Sequence, residues 1–364
     1  MKRVIITGGG TGGHVFPGIA VARELVKNPG VEVLYVGKNE GPEVAWVTSA
    51  GFSFEGITAS GFPRGFSLRL FTFWIDFVRG LLGANRLISR FRPSVVFATG
   101  GYVSVPVSLA GAFRGVPVGL FEPNVMPGLA AKFLALFSKK IFTGFEETLG
   151  CFSKKKARFT GIPVREEIMT TEKGEARKSF GLNPDTTTLL MLGGSQGAHT
   201  LNRYMTDVIR FLGEGEHSVQ IIMMTGWPDY RETMDKLEKC ALKVVLRPFI
   251  SNIHEAYAAA DLVVARSGAM TCAEILSRGL PSIFVPYPHA SGHQEANGRA
   301  LEKAGAALVI LEKELEEEKL SQTILALLGD PAKLQGMGEK AKGLSRPTAA
   351  SDMVKELLEM AETK

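Results

Sequence analysis

The sequence predicts an α/β protein built from two similar domains with parallel sheets, facing one ligand. Two stretches and the chain length carry that expectation. Val4-Ile5-Ile6-Thr7 runs into Gly8-Gly9-Gly10-Thr11-Gly12-Gly13-His14, and Leu189-Leu190-Met191-Leu192 runs into Gly193-Gly194-Ser195-Gln196-Gly197-Ala198, each followed by a helical pattern. A β-branched or aliphatic run, a glycine loop and a helix start form the usual phosphate site of parallel sheets. Glycines let the backbone approach a diphosphate, and the unpaired N–H groups of the helix's first turn point at it. At 364 residues each half is long enough to bury its own core.

Apolar content of 45% and charged content of 22% are globular values. Cys151, Cys240 and Cys272 are far apart and form no Cys-x-x-Cys pair, which predicts reduced thiols in a cytosolic protein. A strand begins within a few residues of Met1, leaving no room for a signal peptide, and no uncharged apolar run approaches the length of a bilayer span. The formal net charge of +5 and pI near 9.0 suit an anionic small ligand or surface, and no nucleic-acid partner is expected.

In chain order, Pro17 to Val26 reads as a helix with Ile19, Ala22, Leu25 and Val26 on one side, and Val31 to Val36 as the second strand. Strand, helix and strand within about forty residues make a parallel βαβ unit. A helix near Pro42 to Ala50, strands near Phe54 to Ile57 and Val95 to Ala98, a helix opened by Gly100-Gly101-Tyr102, and strands near Val116 to Leu120 and Lys140 to Phe142 follow. The alternation pauses at Gly161-Ile162-Pro163-Val164-Arg165, where the domain boundary is placed, and the charged run Glu166 to Lys178 reads as solvated surface. The second half restarts at Thr187, with strands near Val219 to Met224, Lys243 to Leu246, Leu262 to Val264 and Ser282 to Val285. Helices are expected at Asp229 to Cys240, Ile253 to Ala260, Met270 to Arg278 and Gln294 to Ala304. Glu312 to Lys319 reads as a helix face in water, and a last helix, Ala349 to Met360, follows Pro347 and is expected to return to the first domain.

One segment departs from this pattern. Between Phe62 and Arg92, eleven large apolar residues from Phe66 to Leu82 interleave with six arginines, and Asp76 is the lone acid. On a helix these apolar residues cover more than the one face needed to pack on a sheet. Two readings stand: a core helix with a basic outer face, or a helix resting on an anionic bilayer, with arginines at the headgroups.

Several chemistries compete for the glycine loops. Gly8-x-Gly10-x-x-Gly13 matches a dinucleotide fingerprint, but the second strand ends Tyr35-Val36-Gly37-Lys38 without the acid that would hold a ribose, and Glu32 comes too early. Neither loop carries the Lys-Ser or Lys-Thr of a nucleoside triphosphatase. Ala265-Arg266-Ser267-Gly268-Ala269-Met270-Thr271 offers a second diphosphate site at a helix start. Glu274, one turn in, is placed either to accept ribose hydroxyls or simply to face water. Gln294, in the loop after Pro286, can reach sugar hydroxyls. His289 and His293 lie four apart, but Pro288 and Gly292 break the helix a metal pair would need; no metal or cofactor is expected. With no Asp-x-Asp pair, helix N-termini and an arginine such as Arg165 would neutralise a leaving diphosphate.

Taken together, Thr7 to Pro17, Gly100-Gly101-Tyr102-Val103-Ser104, Gly161 to Arg165, Gly193 to Ala198 and Arg266 to Thr271 resemble the MurG family. These are the N-acetylglucosaminyltransferases that convert lipid I to lipid II in peptidoglycan synthesis. The likeness is collinear from about residue 3 to residue 345. It implies a GT-B fold with a cleft between two Rossmann-like domains. Residues 1–163 would form an acceptor- and membrane-binding domain, joined by helix 347–364, and residues 164–346 a donor-binding domain.

Position by position, the resemblance places UDP-N-acetylglucosamine on Ile250 (uracil, through backbone), Ser195 and Ala269, Met270 and Thr271 (diphosphate), Glu274 (ribose) and Gln294 (sugar), with Arg165 nearby. Thr11, Gly12, Gly13 and Asn124 would frame the sugar and the acceptor. His14, whose ordinary pKa lies near neutrality, is the candidate base for an inverting displacement, against a role that only orders its loop; Glu122 is the reserve. The chain departs from the family where Phe121-Glu122-Pro123-Asn124 replaces a common His-Glu-Gln-Asn, and where Ile162 and His293 stand in place of common Asn and Gln. The segment 62–92 corresponds to the family's membrane patch, which implies a peripheral protein on the cytoplasmic face of the inner membrane, with other cell-wall and division proteins as further partners. The rivals are another nucleotide-sugar enzyme of the same fold, such as an epimerase or a natural-product transferase, and a non-catalytic UDP-sugar- or membrane-binding module.

Overall fold

The computed structural model describes residues 1–61, 69–193, 198–215 and 217–362. They form two compact units, Met1–Val164 with Arg346–Lys364, and Arg165–Ser345. In the first, β1 (Lys2–Gly8), β2 (Val31–Lys38), β3 (Ser53–Ile57), β4 (Val95–Gly100), β5 (Val118–Glu122), β6 (Lys140–Thr143) and β7 (Ala157–Phe159) lie in the order β3-β2-β1-β4-β5-β6-β7. All pairs are parallel, with β1 running from Lys2 opposite Val31 to Thr7 opposite Val36. Strands buried on both faces read as continuous apolar runs, and Val4, Ile5 and Ile6 are fully buried. One core layer joins Ile5, Leu34, Val36, Val96 and Val118 to Ala84, Leu87 and Ile88 of helix Arg69–Phe91 and to Val107 of helix Ser104–Phe113.

The last helix, Ala349–Glu362, belongs to this first unit. Its Met353, Val354, Leu357 and Met360 are buried, and Gly119 on β5 lacks the Cβ that would stand 2.8 Å from Leu357 Cδ2. Ion pairs tie it to the sheet, Glu356 to Lys140 at 2.5 Å and Glu362 to Lys2 at 2.6 Å. Where the chain returns, Arg346 lies over the Phe159 ring at 5.0 Å, and Gly161, at φ +79°, leaves the space that Arg346 Cβ fills.

The second unit contains β8 (Thr187–Leu192), β9 (Val219–Met224), β10 (Val244–Arg247), β11 (Leu262–Ala265), β12 (Ser282–Phe284) and β13 (Ala307–Val309), parallel in the order β10-β9-β8-β11-β12-β13. Leu189, Met191, Ile221 and Val264 meet Leu201, Met205 and Val208 of helix His199–Glu214 and Leu320, Ile324 and Leu327 of helix Glu317–Leu328 in one core.

Three expectations shift. The first helix runs Gly12–Leu25 and so begins in the glycine loop, five residues before Pro17, because the loop's last glycines already adopt the helical turn. β7, β13 and helices Leu129–Leu134 and Pro331–Leu344 had no periodic signal long enough to mark them. The run Glu166 to Lys178 is not plain solvated surface: it folds into helices Glu166–Thr170 and Lys173–Ser179 with Ile168, Ala176 and Arg177 buried. Arg177 Nη2 pairs with Asp261 at 2.5 Å and Nε donates to the Ala259 carbonyl at 3.2 Å, while Asp261 also accepts from the Thr188 amide at 2.7 Å. Asp261 also pairs with Lys173, so losing Arg177 costs chiefly the hydrogen bonds of its buried guanidinium to Asp261 and to the Ala259 and Pro184 carbonyls. Arg177→Met is therefore expected to cost about 2 kcal/mol, read as a lower urea midpoint at unchanged slope.

Candidate active site

In an open parallel sheet, ligands bind beyond the carboxyl ends of the strands, where the strand order reverses. In the first unit that point lies between β1 and β4, and in the second between β8 and β11.

At the first, β1 ends in Gly8, and the Gly9 amide donates to the Gly100 carbonyl at 3.3 Å, joining the loops after β1 and β4. Thr11, exposed and extended at φ −145°, precedes helix Gly12–Leu25 without a side-chain cap. Its carbonyl accepts from the amides of His14 and Val15, so the amides of Gly12 and Gly13 are the first-turn donors that lie ahead of the helix's own bonding. His14 is half-buried in this turn. Its carbonyl accepts from Thr99 Oγ1 at 2.6 Å, and its Nδ1 lies 3.2 Å from the Gly9 carbonyl and 3.3 Å from Thr11 Oγ1. A carbonyl only accepts, so the neutral ring carries its proton on Nδ1 and offers Nε2 as a base. Burial lowers the His14 pKa below its ordinary 6.5, against the opposing pull of the Gly9 carbonyl and the Glu43 carboxylate. The ring rests on Gly100, at φ +109°, where a Cβ would stand 2.6 Å from His14 Cδ2.

Glu122, at the end of β5, is buried. Its Oε1 accepts from the Asn124 amide at 2.9 Å and from Asn124 Nδ2 at 3.0 Å, and its Oε2 from the Gly128 amide at 3.1 Å. These bonds aim Asn124 and occupy both oxygens of the carboxylate.

In the second unit, Gly193 lies over Asn202, whose Nδ2 donates to the Thr225 carbonyl at 2.7 Å and to Asp229 at 2.6 Å. Ser195 falls outside the described residues. β11 leads through Arg266 and buried Ser267 into helix Ala269–Arg278, which has Gly268 as an uncapped start. The Cys272 amide is the first to bond back, to the Gly268 carbonyl at 2.9 Å. The amides of Ala269, Met270 and Thr271 are thus the unpaired donors at this end. Arg266 buttresses the turn by donating to the Val285 and Pro286 carbonyls at 3.0 and 3.1 Å and pairing with Glu312. Ser267 Oγ donates to the Gln294 carbonyl at 2.8 Å, linking the turn to helix His293–Lys303, while Gln294 Oε1 accepts the Tyr287 amide at 3.0 Å.

Glu274 is not a solvated carboxylate: it is 8% exposed, with Arg165 Nη2 3.5 Å from Oε1. Burial raises its pKa, outweighing the opposing effects of Arg165 and of the Tyr257 hydroxyl. Ile250 is buried after the exposed Phe249, at the carboxyl end of β10. Ile250, Ala269, Met270, Thr271, Glu274, Arg165 and Gln294 thus belong to the second unit, where Arg165 meets Glu274 and Gln294 meets the turn before Ala269, and Thr11, Gly12, Gly13, His14, Glu122 and Asn124 belong to the first, where Glu122 meets Asn124. Sequence reading missed Tyr257, Thr99 and Glu43. Thr99 and Tyr257 sit in largely apolar stretches and Glu43 follows a polar turn, and in each case the residue becomes informative only when its buried partner is known.

Two parallel α/β units, each with unpaired helix-start amides at its switch point, fit the class of nucleotide-sugar enzymes with two Rossmann-like domains. Residues 4–143 match the glycosyltransferase family 28 N-terminal domain, and residues 188–353 match the family's C-terminal domain. The chain is 42% identical, over 97% of each chain, to the UDP-N-acetylglucosamine–N-acetylmuramyl-(pentapeptide) pyrophosphoryl-undecaprenol N-acetylglucosamine transferase of Desulforamulus reducens. The protein of the same name from Halothermothrix orenii is 40% identical, again over 97% of each chain. The crystal structure of Acinetobacter baumannii MurG superposes with a TM-score of 0.80 at 26% identity, covering 99% of this chain and all of that one. The chain belongs to glycosyltransferase family 28.

Because the methyl group of Gly100→Ala would fall on the His14 ring, that variant is expected to lose about a hundredfold in turnover. A steady-state assay checks the loss, and circular dichroism confirms that the fold is retained.

Proposed function

We propose that the protein transfers N-acetylglucosamine from UDP-N-acetylglucosamine to the muramyl 4-hydroxyl of undecaprenyl-pyrophosphoryl-N-acetylmuramyl-pentapeptide (lipid I), giving lipid II and UDP. The observation that carries this reading is the uncapped helix start at Ala269–Thr271 with buried, Arg165-paired Glu274 one turn in, in a chain about 40% identical to relatives named for this transfer. The second unit holds the donor: Ile250 meets uracil, Glu274 the ribose, Ala269 to Thr271 and Ser195 the diphosphate, and Gln294 the sugar. Arg165 both aims Glu274 and adds positive charge for the departing diphosphate. The first unit serves the acceptor, with Thr11, Gly12, Gly13 and Asn124 facing its diphosphate and the transferred sugar.

In the displacement, His14 Nε2 takes the proton of the muramyl 4-hydroxyl as its oxygen bonds the anomeric carbon. The bond from that carbon to the UDP oxygen breaks, and an α-linked donor becomes a β-linked product. The base must be neutral, and burial holds the His14 pKa below 6.5. Activity is thus expected to be flat near neutrality and to fall as pH drops through a value under 6.5. His14→Ala is expected to lower acceptor-dependent UDP release, measured with a short-chain lipid I analogue, by about a hundredfold or more, leaving UDP affinity unchanged. Release without acceptor, or equal release from UDP-glucose, would count against the assignment.

The acceptor's lipid tail calls for a membrane surface. Among the described residues no helix is long and apolar enough to cross a bilayer. Helix Arg69–Phe91 instead exposes Phe71, Trp74, Val78 and Leu82 on one face, with Arg79 and Arg86 also exposed, while Ala84, Leu87 and Ile88 pack inward. This supports a peripheral protein on the cytoplasmic face of the inner membrane, apolar residues in the acyl boundary and arginines at anionic headgroups. The residues 62–68 of the same segment lie outside the described residues. Replacing Phe71, Trp74 and Val78 by serine is expected to abolish sedimentation with phosphatidylglycerol vesicles at an unchanged melting temperature. Vesicle binding equal to wild type would refute the membrane role.

A further inference from the structure

The peptide group between Gly9 and Gly10 is gripped from both sides. Its N–H donates to Glu43 Oε2 at 3.2 Å, and its carbonyl meets His14 Nδ1 at 3.2 Å. In a trans peptide the N–H and C=O point in opposite directions, so fixing one aims the other. Glu43 is fully buried at the start of helix Glu43–Ser49, and its second oxygen accepts the Lys38 amide at 2.9 Å. Glycines make room for it: a Cβ at Gly9, Gly37 or Gly41 would fall 2.2, 2.7 or 2.2 Å from its side-chain atoms. Its bonds within the described residues go to backbone amides, with no cation in ion-pair reach.

A buried carboxylate held by amides rather than by a cation keeps an uncompensated charge, and here that charge bears on the loop that carries the base. We infer that Glu43 is a positioning residue for the transfer. Acting through the Gly9–Gly10 peptide group, it keeps the proton of neutral His14 on Nδ1 and presents Nε2 to the acceptor hydroxyl. The carboxylate polarises the peptide, strengthening the carbonyl as acceptor for the ring N–H, as a carboxylate paired directly with a histidine would do. The competing arrangement, with Thr11 Oγ1 donating to a bare Nδ1, would set that lone pair against the Gly9 carbonyl oxygen and is disfavoured.

The negative charge also favours the imidazolium, opposing the effect of burial. The other titratable groups on elements packed against helix Gly12–Leu25 are otherwise engaged or exposed. Tyr35 is buried and stays neutral, Arg3 pairs with Glu32, Lys38 is exposed, and on the last helix Glu356 and Glu362 pair with Lys140 and Lys2 while Asp352, Lys355 and Glu359 are exposed.

This inference rests on His14 as the base, and the test separates the two. In nitrogen-15 histidine NMR, wild-type His14 is expected as the Nδ1–H tautomer. Glu43→Gln, close to isosteric, is expected to give mixed tautomers and a lower titration midpoint. Its kcat should fall about ten-fold, with the acid limb of the pH–rate profile moved to lower pH and UDP affinity unchanged. A role in packing alone would lower the melting temperature and leave tautomer and acid limb in place. That result overturns the inference, as does a wild-type ring protonated on Nε2, which needs no variant to fold. Full activity of His14→Ala would overturn the base assignment by itself, whatever the spectra show.

Discussion

The first amides of an α-helix have no partner within the helix, and this chain leaves them open at the switch points of both sheets, where the proposed diphosphates bind. Helices Gly12–Leu25, His199–Glu214 and Ala269–Arg278 begin without a side-chain cap, as do most of the described helices, and what sets them apart is their place at the carboxyl ends of the strands beside each switch point. A Ser or Asp cap would contribute about 1 kcal/mol to each. Forgoing it leaves directed N–H groups and the positive end of the helix dipole for an anionic ligand, at the carboxyl edge to which parallel strands deliver them.

Open helix starts need support from behind, and buried polar contacts supply it. Arg266 ties its loop to the Val285 and Pro286 carbonyls, Ser267 ties it to the Gln294 carbonyl, and Thr99 ties the first helix to β4 through the His14 carbonyl. Such contacts add little net stability once desolvation is counted, but they fix loop geometry to the accuracy that chemistry needs. The buried Glu43 and Glu274 carboxylates extend the same logic to charge: one accepts from the amides of Gly10 in the first glycine loop and of Lys38 at the end of β2, the other faces Arg165.

Helix Arg69–Phe91 resolves an ambiguity in its composition. Its C-terminal half buries Ala84, Leu87 and Ile88, and its N-terminal half leaves Phe71 at 70% and Trp74 at 53% exposure. The helix is thus a core helix on the face that carries Ala84, Leu87 and Ile88, and its exposed apolar face from Phe71 to Leu82 is the one to which the proposed contact with lipid is assigned.

Period and glycine placement were enough to determine the paired parallel-sheet architecture. Apolar runs such as Val4-Ile5-Ile6 mark strands buried on both faces, and a glycine loop before a helix has few other uses. The motifs at Thr11–His14 and Ala269–Thr271 were legible for the same local reason, since helix-start chemistry lies within a few residues of sequence. Tertiary structure alone decided what surrounds them: that Glu274 is buried against Arg165, that Glu122 is occupied by Asn124 and Gly128, that Arg177 closes on Asp261, and that Glu43 grips a peptide group thirty-three residues away. Burial and partner are properties of segments distant in the chain, and a carboxylate's chemistry depends on them far more than on its neighbours in sequence.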